Sequence, residues 1–225
     1  MKKINLLIIS IALLLSSCTN NNTYKTPETE MEKVSYSLGV NVATGVKAQG
    51  LDTIDANAVA KAFKDVFEGN DLDISEEESM KVLQDYFGKL QAEKSAKANE
   101  AGVAYLAENG AKEGVITTES GLQYEILKSG NGAKPTTNDQ VTVHYHGMLT
   151  DGTVFDSSVD RGEPATFGVT QVIKGWTEAL QLMSIGDKWK LTIPSNLAYG
   201  DQGAGGMIGP GATLVFEVEL LGINK

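Results

Sequence analysis

The chain has 225 residues, of which 41% are hydrophobic and 21% are charged, and its formal net charge is −10. This length suffices for one large domain or two small ones, and the composition is typical of globular proteins. Because nucleic-acid binding requires basic surface that neutralises phosphates, the acidic balance argues against a nucleic-acid partner. The single cysteine, Cys18, excludes an intrachain disulfide.

The first residues have the pattern of a secretory leader. Lys2 and Lys3 precede an apolar run over residues 4–15, which is too short to span a bilayer. We therefore expect residues 1–17 to be a signal peptide. The tail Leu15-Ser16-Ser17-Cys18 resembles a bacterial lipobox, in which the cysteine becomes the acylated first residue. The alternative is an ordinary cleaved leader with an incidental cysteine.

The lipobox resemblance implies a lipid anchor at Cys18 and a polar, flexible tether over residues 18–29. Acyl chains contribute about 0.8 kcal/mol per buried CH₂, so more than one chain suffices for stable membrane binding. The expected location is the bacterial cell envelope, with the protein lipid-anchored and facing the periplasm. Which membrane and leaflet hold the anchor stays open.

Residues 30–112 have the pattern of a helical region, and this stretch contains no proline. Apolar residues recur at helical spacing over residues 34–42. Asp55 can cap a second helix, which Gly69-Asn70 ends.

A third helix is predicted to begin at the capping box Ser75-Glu76-Glu77-Glu78 and to run to Asn109-Gly110. About 34 residues of helix would reach about 50 Å. Because residues 92–101 are almost only Ala, Lys, Glu, Ser and Asn, we expect a solvated strut between two bodies. Gly88 and Gly102 are candidate bends.

The apolar stripe of this helical region is thin for independent stability. We therefore expect a homodimer that forms through residues 30–90. The alternative is a monomeric helical cap folded against the second domain.

Residues 113–225 change to β character, with alternating apolar and polar residues over 122–126, 141–145 and 189–193. Thr150-Asp151-Gly152-Thr153 predicts a hairpin turn. A short helix over residues 176–183 and a closing strand over residues 212–221 follow. Five or so strands and one short helix predict an α+β domain.

Residues 152–176 combine aromatic and aliphatic side chains with one carboxylate–guanidinium pair, Asp156 and Arg161. Together with Tyr145 and Tyr199, this composition indicates a shaped apolar pocket with a few orienting polar groups. It does not resemble a hydrolase or metal site, and we expect neither a metal nor a cofactor.

Five blocks in order resemble the FKBP-type peptidyl-prolyl cis–trans isomerases. They are Val143-His144-Tyr145-His146-Gly147, Gly152-Thr153-Val154-Phe155-Asp156-Ser157-Ser158, Val172-Ile173-Lys174-Gly175-Trp176, Leu197-Ala198-Tyr199-Gly200 and Ala212-Thr213-Leu214-Val215-Phe216. The preceding helices resemble the dimerisation arm of the macrophage-infectivity-potentiator-like subgroup. The resemblance implies a twisted antiparallel sheet wrapped round a short helix, preceded by an all-α arm with a long connecting helix.

The resemblance also implies roles for individual residues. The implied catalytic set is Tyr145, Phe155, Asp156, Trp176 and Tyr199, and the implied substrate-binding set is Arg161, Phe167, Val172, Ile173, Met207, Ile208 and Phe216. Trp176 is the implied pocket floor beneath the substrate's proline ring. The Ile173 N–H and the Tyr199 hydroxyl are the implied donors to the bound peptide. Asp156 is the implied buried carboxylate, and Met207 with Ile208 is the implied flap.

The rim of the pocket departs from the family pattern. Ala165 replaces an aromatic residue, and Ala204-Gly205 and Gly209-Pro210 stand where flap residues are often His-Pro and Pro-Pro. Binding of macrolide inhibitors is a further implication of the resemblance, but the altered rim leaves their affinity and the substrate preference open.

The implied partners are proline-containing segments of unfolded or exported polypeptides, whose X–Pro amide would twist in a dry aromatic pocket. The alternative from another class is a holdase-type chaperone or binding module with incidental isomerase activity. A silent adhesion or scaffold lipoprotein has no positive support in the sequence.

Other interpretations concern single residues. Trp176, Tyr145 and Phe155 could be plain core residues, and Asp156–Arg161 could be an exposed ion pair of under about 1 kcal/mol. His144 and His146 share a strand face, but without a visible third ligand a solvent-facing surface is favoured over a metal site. The run from residue 200 to 211 lacks the third glycine of GxGxxG, which argues against a phosphate loop.

Overall fold

A computed structural model describes residues 25–224 of the chain. Its helical part comprises α1 (Glu30–Ala48), α2 (Ala56–Glu68) and α3 (Glu76–Gly110). No helix within residues 25–224 has the length and apolar character needed to cross a membrane. The predicted signal peptide, Cys18 and most of the predicted tether lie outside the described residues.

Local capping chemistry sets where the helices begin and end. The Thr29 hydroxyl accepts from the Glu32 N–H at 3.3 Å, and the Glu32 carboxylate accepts from the Thr29 N–H at 2.9 Å, which caps α1. Asp55 accepts from two N–H groups in the first turn of α2, and Gly69 ends this helix in the left-handed conformation with φ 71°. Ser75 accepts from the first turn of α3. The predicted starts of α2 and α3 are confirmed.

The second part is a seven-stranded antiparallel sheet in the order β1-β2-β6-β7-β3-β4, with β5 paired to β3. The strands are β1 Val115–Thr117, β2 Gln123–Lys128, β3 Gln140–Leu149, β4 Val154–Ser157, β5 Ala165–Gly168, β6 Lys188–Ile193 and β7 Leu214–Asn224. The one-turn helix α4 (Ser158–Arg161) follows β4, and α5 (Lys174–Leu182) lies between β5 and β6. The predicted α+β class is confirmed.

The core lies between α5 and one face of the sheet. Along β3, Val141 and Val143 are fully buried and Tyr145 is almost so, with half-buried residues between them. This alternation is the two-residue period of a sheet with one buried face. Ala179 and Leu180 of α5 complete the same cluster.

Some sheet boundaries differ from the prediction. The strands β1 and β5 have three and four residues, which is too short for alternation to appear in the sequence. The closing strand begins at Leu214 and ends at Asn224, two residues later than predicted at its start and three at its end. Its length follows from its partner, because β7 pairs with β3 as far as Gln140 opposite Asn224.

The prediction of a solvated strut is wrong for the second half of α3. Ser95, Gly102 and Asn109 are buried at seven-residue spacing, so one face of the helix lies against the sheet domain. A Cβ on Gly102 would lie 2.4 Å from the Thr213 Oγ1. This glycine therefore permits close approach within a continuous helix. The docked face is small and polar, which a search for apolar stripes does not detect.

Candidate functional site

A cavity of about 400 Å³ opens between α5 and the sheet. Its lining residues come from β3, β4, β5, β7, α5 and the loops beside them: Tyr145, Phe155, Asp156, Phe167, Gln171, Val172, Ile173, Trp176, Tyr199 and Phe216. Apolar and aromatic side chains dominate, with few polar groups, as in sites that enclose a small hydrophobic moiety.

Trp176 lies at the centre of a cluster of aromatic rings. Its ring meets those of Tyr145, Phe167 and Phe216 edge to face, at centroid distances of 5.5, 5.9 and 5.3 Å. Edge-to-face packing is favoured by the ring quadrupoles, and it fixes the orientation of each ring. Because Trp176 is only 4% exposed, it forms a rigid apolar base to the cavity.

Gly147 provides the space for two rings of the cavity wall. Phe155 and Phe216 meet edge to face at 5.4 Å, and a Cβ on Gly147 would lie 2.8 Å from ring atoms of both. Gly147 pairs with Phe216 across β3 and β7 and with Asp156 across β3 and β4. The sequence places Gly147 in a motif but gives no sign that this glycine accommodates the aromatic wall.

One polar cluster borders the rings. The Tyr145 hydroxyl donates to the Asp156 carboxylate, and Arg161 donates one N–H to Asp156 and another to the Tyr145 oxygen at 2.8 Å. The antiparallel β3–β4 pair brings Tyr145 and Asp156 together, and the single turn of α4 brings Arg161 back to them. Because the three side chains are hydrogen-bonded to one another, the cluster fixes the wall of the cavity that carries the Tyr145 ring.

These contacts determine the protonation states. Burial by itself raises the pKa of Asp156, but the hydrogen bonds from Tyr145 and Arg161 and the guanidinium charge outweigh it, so this pKa lies below its ordinary value. Burial and the hydrogen bond to Asp156 raise the pKa of the Tyr145 phenol. Bonding to Tyr145 and Asp156 raises the pKa of Arg161. At neutral pH the cluster therefore holds a carboxylate, a neutral phenol and a guanidinium.

The expectation of a buried carboxylate needs correction. The side chains of Asp156 and Arg161 are 45% and 52% exposed, so the ion pair lies at the protein surface. The description as an exposed ion pair fits this exposure, although Asp156 also lines the cavity and bonds to the buried Tyr145.

Most of the other residues that the sequence singled out also meet here. Phe167, Val172, Ile173, Tyr199 and Phe216 all line the cavity. Ile173 precedes the first turn of α5, and Tyr199 is 40% exposed at the rim.

Met207 and Ile208, the expected flap, do not line the cavity. Met207 is 51% exposed, whereas Ile208 is 8% exposed within the core cluster. The hairpin that carries them is closed by the backbone bridge between Ala204 and Ile208. Gln171 lines the cavity although its type does not predict this, and its position directly before Val172 is the one signal in the sequence.

His144 and His146 bond to the hydroxyls of the two serines at the junction of β4 and α4. The Nδ1 atoms lie 3.1 Å from the Ser158 Oγ and 2.9 Å from the Ser157 Oγ, respectively. Both rings are half-buried rather than solvent-facing. Over residues 25–224, no three His, Cys, Asp or Glu side chains are grouped as metal ligands would be.

Comparisons with known proteins find a family and several relatives. Residues 131–221 match the family model for FKBP-type peptidyl-prolyl cis–trans isomerase, and residues 31–126 match that for the domain amino-terminal to it. The chain is 42% identical over 232 residues to the outer membrane protein MIP of Legionella longbeachae, covering 100% of this chain and 98% of that protein.

Two further similarities concern Escherichia coli proteins. The FKBP-type 22 kDa peptidyl-prolyl cis–trans isomerase is 47% identical over 205 residues, which cover 89% of this chain and 99% of that protein. The crystal structure of FkpA matches with a TM-score of 0.66 at 32% identity, covering 88% of this chain and 99% of that chain.

Proposed function

The chain belongs to the FKBP-type peptidyl-prolyl cis–trans isomerase family, and we propose that it isomerises X–Pro bonds of exported proteins in the aromatic cavity above Trp176. The observation that carries this proposal is the set of rings meeting edge to face around Trp176. They form an apolar site of fixed shape for a proline ring.

The mechanism follows from the electronic structure of the amide. Rotation about an X–Pro bond faces a barrier of about 18–20 kcal/mol, because resonance gives the C–N bond partial double-bond character. The twisted transition state has lost this resonance, so its carbonyl is less polar than that of either planar isomer. An apolar cavity that excludes water therefore binds the twisted amide better than the planar one. Lowering the barrier by about 5–8 kcal/mol corresponds to about 10⁴–10⁶ in rate.

The polar groups hold the site rather than exchange protons. Asp156 is engaged by Tyr145 and Arg161, and its lowered pKa makes it a weak base at neutral pH. Its role is to fix the wall that carries the Tyr145 ring. Ile173 and Tyr199 both line the cavity, and the Ile173 N–H and the Tyr199 hydroxyl are the proposed donors that orient the peptide backbone.

The test is cis–trans exchange of an X–Pro tetrapeptide, measured by NMR with and without the protein. Phe155→Ala removes part of the cavity wall and should lower kcat/KM by at least about tenfold, about 1.4 kcal/mol of transition-state binding. Val154→Ala, on the preceding residue of the same strand, is the matched control because Val154 does not line the cavity. Exchange no faster with the wild-type protein than in buffer refutes the isomerase proposal.

We also propose that the protein is tethered to the bacterial cell envelope, facing the periplasm, through acylated Cys18. The Lys2-Lys3 leader and the lipobox-like tail support this proposal, and one relative is called an outer membrane protein. Wild-type protein should incorporate radiolabelled palmitate and fractionate with membranes, whereas Cys18→Ser should do neither. Equal fractionation of the two proteins would favour an ordinary cleaved leader.

A homodimer through residues 30–90 is the proposed assembly. Helix α1 buries none of its residues within the single chain, and Val34, Leu38 and Val42 are 54%, 45% and 42% exposed. Such a row is the kind of surface that a second copy covers. Leu38→Asp should shift the sedimentation coefficient to that of a monomer, and Leu38→Ile should not. A monomeric wild-type chain would instead favour the helical cap.

A further inference from the structure

We propose that α3 positions Tyr199 at the cavity rim through a polar clamp, with Ser95 and Gln91 as positioning residues. The clamp is the contact of Gln91, Ser95 and Asn99 with the loop over residues 195–202. This inference rests on the proposed isomerase function, since its effect is on how the substrate peptide is held.

The clamp grips the turn that directly follows Tyr199. The Ser95 Oγ donates to the Asp201 carboxylate at 2.5 Å, and the Gln91 Nε2 donates to the Asp201 carbonyl at 2.7 Å. Asp201 lies in the 3-10 turn Gly200–Gln202, and Tyr199 is the residue before its first position. One bond therefore holds the backbone of Asp201, two residues beyond Tyr199, and the other holds the Asp201 side chain.

The other end of the loop is held by the same helix face. The Ser195 hydroxyl donates to the Asn99 Oδ1 at 2.7 Å, and the Asn99 amide donates to the Ser95 Oγ at 3.2 Å. Ser195 begins the 3-10 turn Ser195–Leu197 before Tyr199. The polar network thus fixes the loop on both sides of the tyrosine.

Close packing supports the polar contacts. Ser95 is 5% exposed, and a Cβ on Gly211 would lie 2.5 Å from its carbonyl oxygen. The Gly211 N–H in turn donates to the Gly200 carbonyl at 2.9 Å. The helix therefore contacts the chain both before and after the hairpin that carries Met207 and Ile208.

Tyr199 depends on this support more than the other aromatic residues of the cavity. Tyr145, Phe155, Phe167, Trp176 and Phe216 each pack against another ring of the cavity. Within residues 25–224, Tyr199 joins no ring pair, and its side chain is 40% exposed. Because no ring within residues 25–224 packs against Tyr199, the backbone of its loop has a larger part in placing it than for those residues.

The hydrogen bonds of the clamp are of a kind that fixes the position of the loop. A bond from a hydroxyl to a carboxylate is charge-assisted and directional, so it fixes geometry more closely than apolar packing does. A loop free to shift by about 1 Å would misplace a hydroxyl that must reach the substrate backbone. The helical arm thereby contributes to the substrate site through its connecting helix.

The test compares KM and kcat for an X–Pro peptide in the full chain and its variants. Ser95→Ala should raise KM about three- to fivefold with kcat within about twofold, the size expected for one weakened hydrogen bond to substrate. Gln91→Ala should act in the same direction. In a Tyr199→Phe background, Ser95→Ala should have no further effect, because it acts through the Tyr199 hydroxyl.

Asn109→Ala is the matched control. Asn109 lies on the same helix face and donates to Gln123 at 2.9 Å and to Thr192 at 3.3 Å, neither of which belongs to the loop over residues 195–202. It should leave KM unchanged. Three results would overturn the inference while the isomerase proposal stands. They are an unchanged KM in Ser95→Ala, a rise in KM of equal size in Asn109→Ala, and a further rise in KM when Ser95→Ala is added to Tyr199→Phe. An inactive wild-type protein overturns both.

Discussion

The Tyr145 hydroxyl donates to the Asp156 carboxylate across the β3–β4 pair, and Arg161 binds both of them. An ionisable triad of this kind invites an acid–base mechanism. The geometry instead makes it a brace, because Asp156 and Arg161 both bond to the Tyr145 hydroxyl and so hold the Tyr145 ring. The cavity is thus lined mainly by apolar rings, and its polar cluster anchors one wall.

Tyr145→Phe keeps the aromatic ring and removes the hydroxyl that bonds to Asp156 and Arg161. Losing one hydrogen bond costs about 1 kcal/mol, so we expect kcat/KM to fall about fivefold with the fold intact. The pKa of Asp156, followed by carboxyl NMR, should rise towards its ordinary value of 3.8. Tyr124→Phe is the control, since Tyr124 stacks on Trp189 outside the cavity. An unchanged Asp156 pKa in Tyr145→Phe would contradict the brace.

The low pKa of Asp156 has a defined effect on stability. A carboxyl whose folded pKa is depressed stabilises the fold at pH values above its ordinary 3.8, and this contribution is lost as the pH falls through the lower folded pKa. The loss should be modest because the side chain is 45% exposed. Urea midpoints measured across this acid range should fall less steeply for Asp156→Asn than for the wild type. Identical slopes would show that the pKa is not depressed.

Two glycines of α3 give a matched test of its docking. Gly88 has no atom within 4 Å of a built Cβ, whereas on Gly102 the Cβ would lie 2.4 Å from the Oγ1 of the buried Thr213. Gly88→Ala should raise stability by about 0.5–1 kcal/mol through helix propensity. Gly102→Ala should instead lower it by about 1 kcal/mol through overpacking. Tryptophan fluorescence in urea measures both, and equal gains would mean that the helix is undocked.

Gly147→Ala tests the fit of the aromatic wall. Its Cβ would displace the rings of Phe155 and Phe216, and overpacking of a tight site costs about 1–3 kcal/mol. We expect a fall in kcat/KM larger than the loss of stability alone explains, measured at a temperature where the variant is fully folded. If the folded variant keeps the wild-type kcat/KM, the Phe155 and Phe216 rings can shift without loss of activity.

The sequence predicts the cavity well because its residues fall in short, ordered blocks. Phe155 and Trp176 could also be plain core residues by type, and their place in blocks that resemble a known family is what favours the pocket. Helix caps such as Asp55 and Ser75 can also be predicted from the sequence, because a side-chain oxygen just before a helical pattern commonly accepts a hydrogen bond from an N–H of the first turn. These features depend on chemistry that lies within a few residues of the chain.

What the sequence does not predict depends on distant partners. Ser95 and Asn109 look like solvated helix residues until the sheet domain supplies Asp201 and Gln123 as bonding partners. The openness of the Asp156–Arg161 pair is likewise a property of the assembled rim. A helix face that docks through polar residues lacks an apolar period in the sequence, so only the three-dimensional structure reveals it.

The most direct test of the account is the activity of Trp176→Leu compared with Trp189→Leu. Both tryptophans are 4% exposed, but only Trp176 lines the cavity. At equal folded fractions checked by circular dichroism, Trp176→Leu should lose at least about tenfold in kcat/KM on an X–Pro peptide, about 1.4 kcal/mol of transition-state binding, while Trp189→Leu retains wild-type kcat/KM. Equal activity of the two variants would contradict a catalytic cavity built on Trp176.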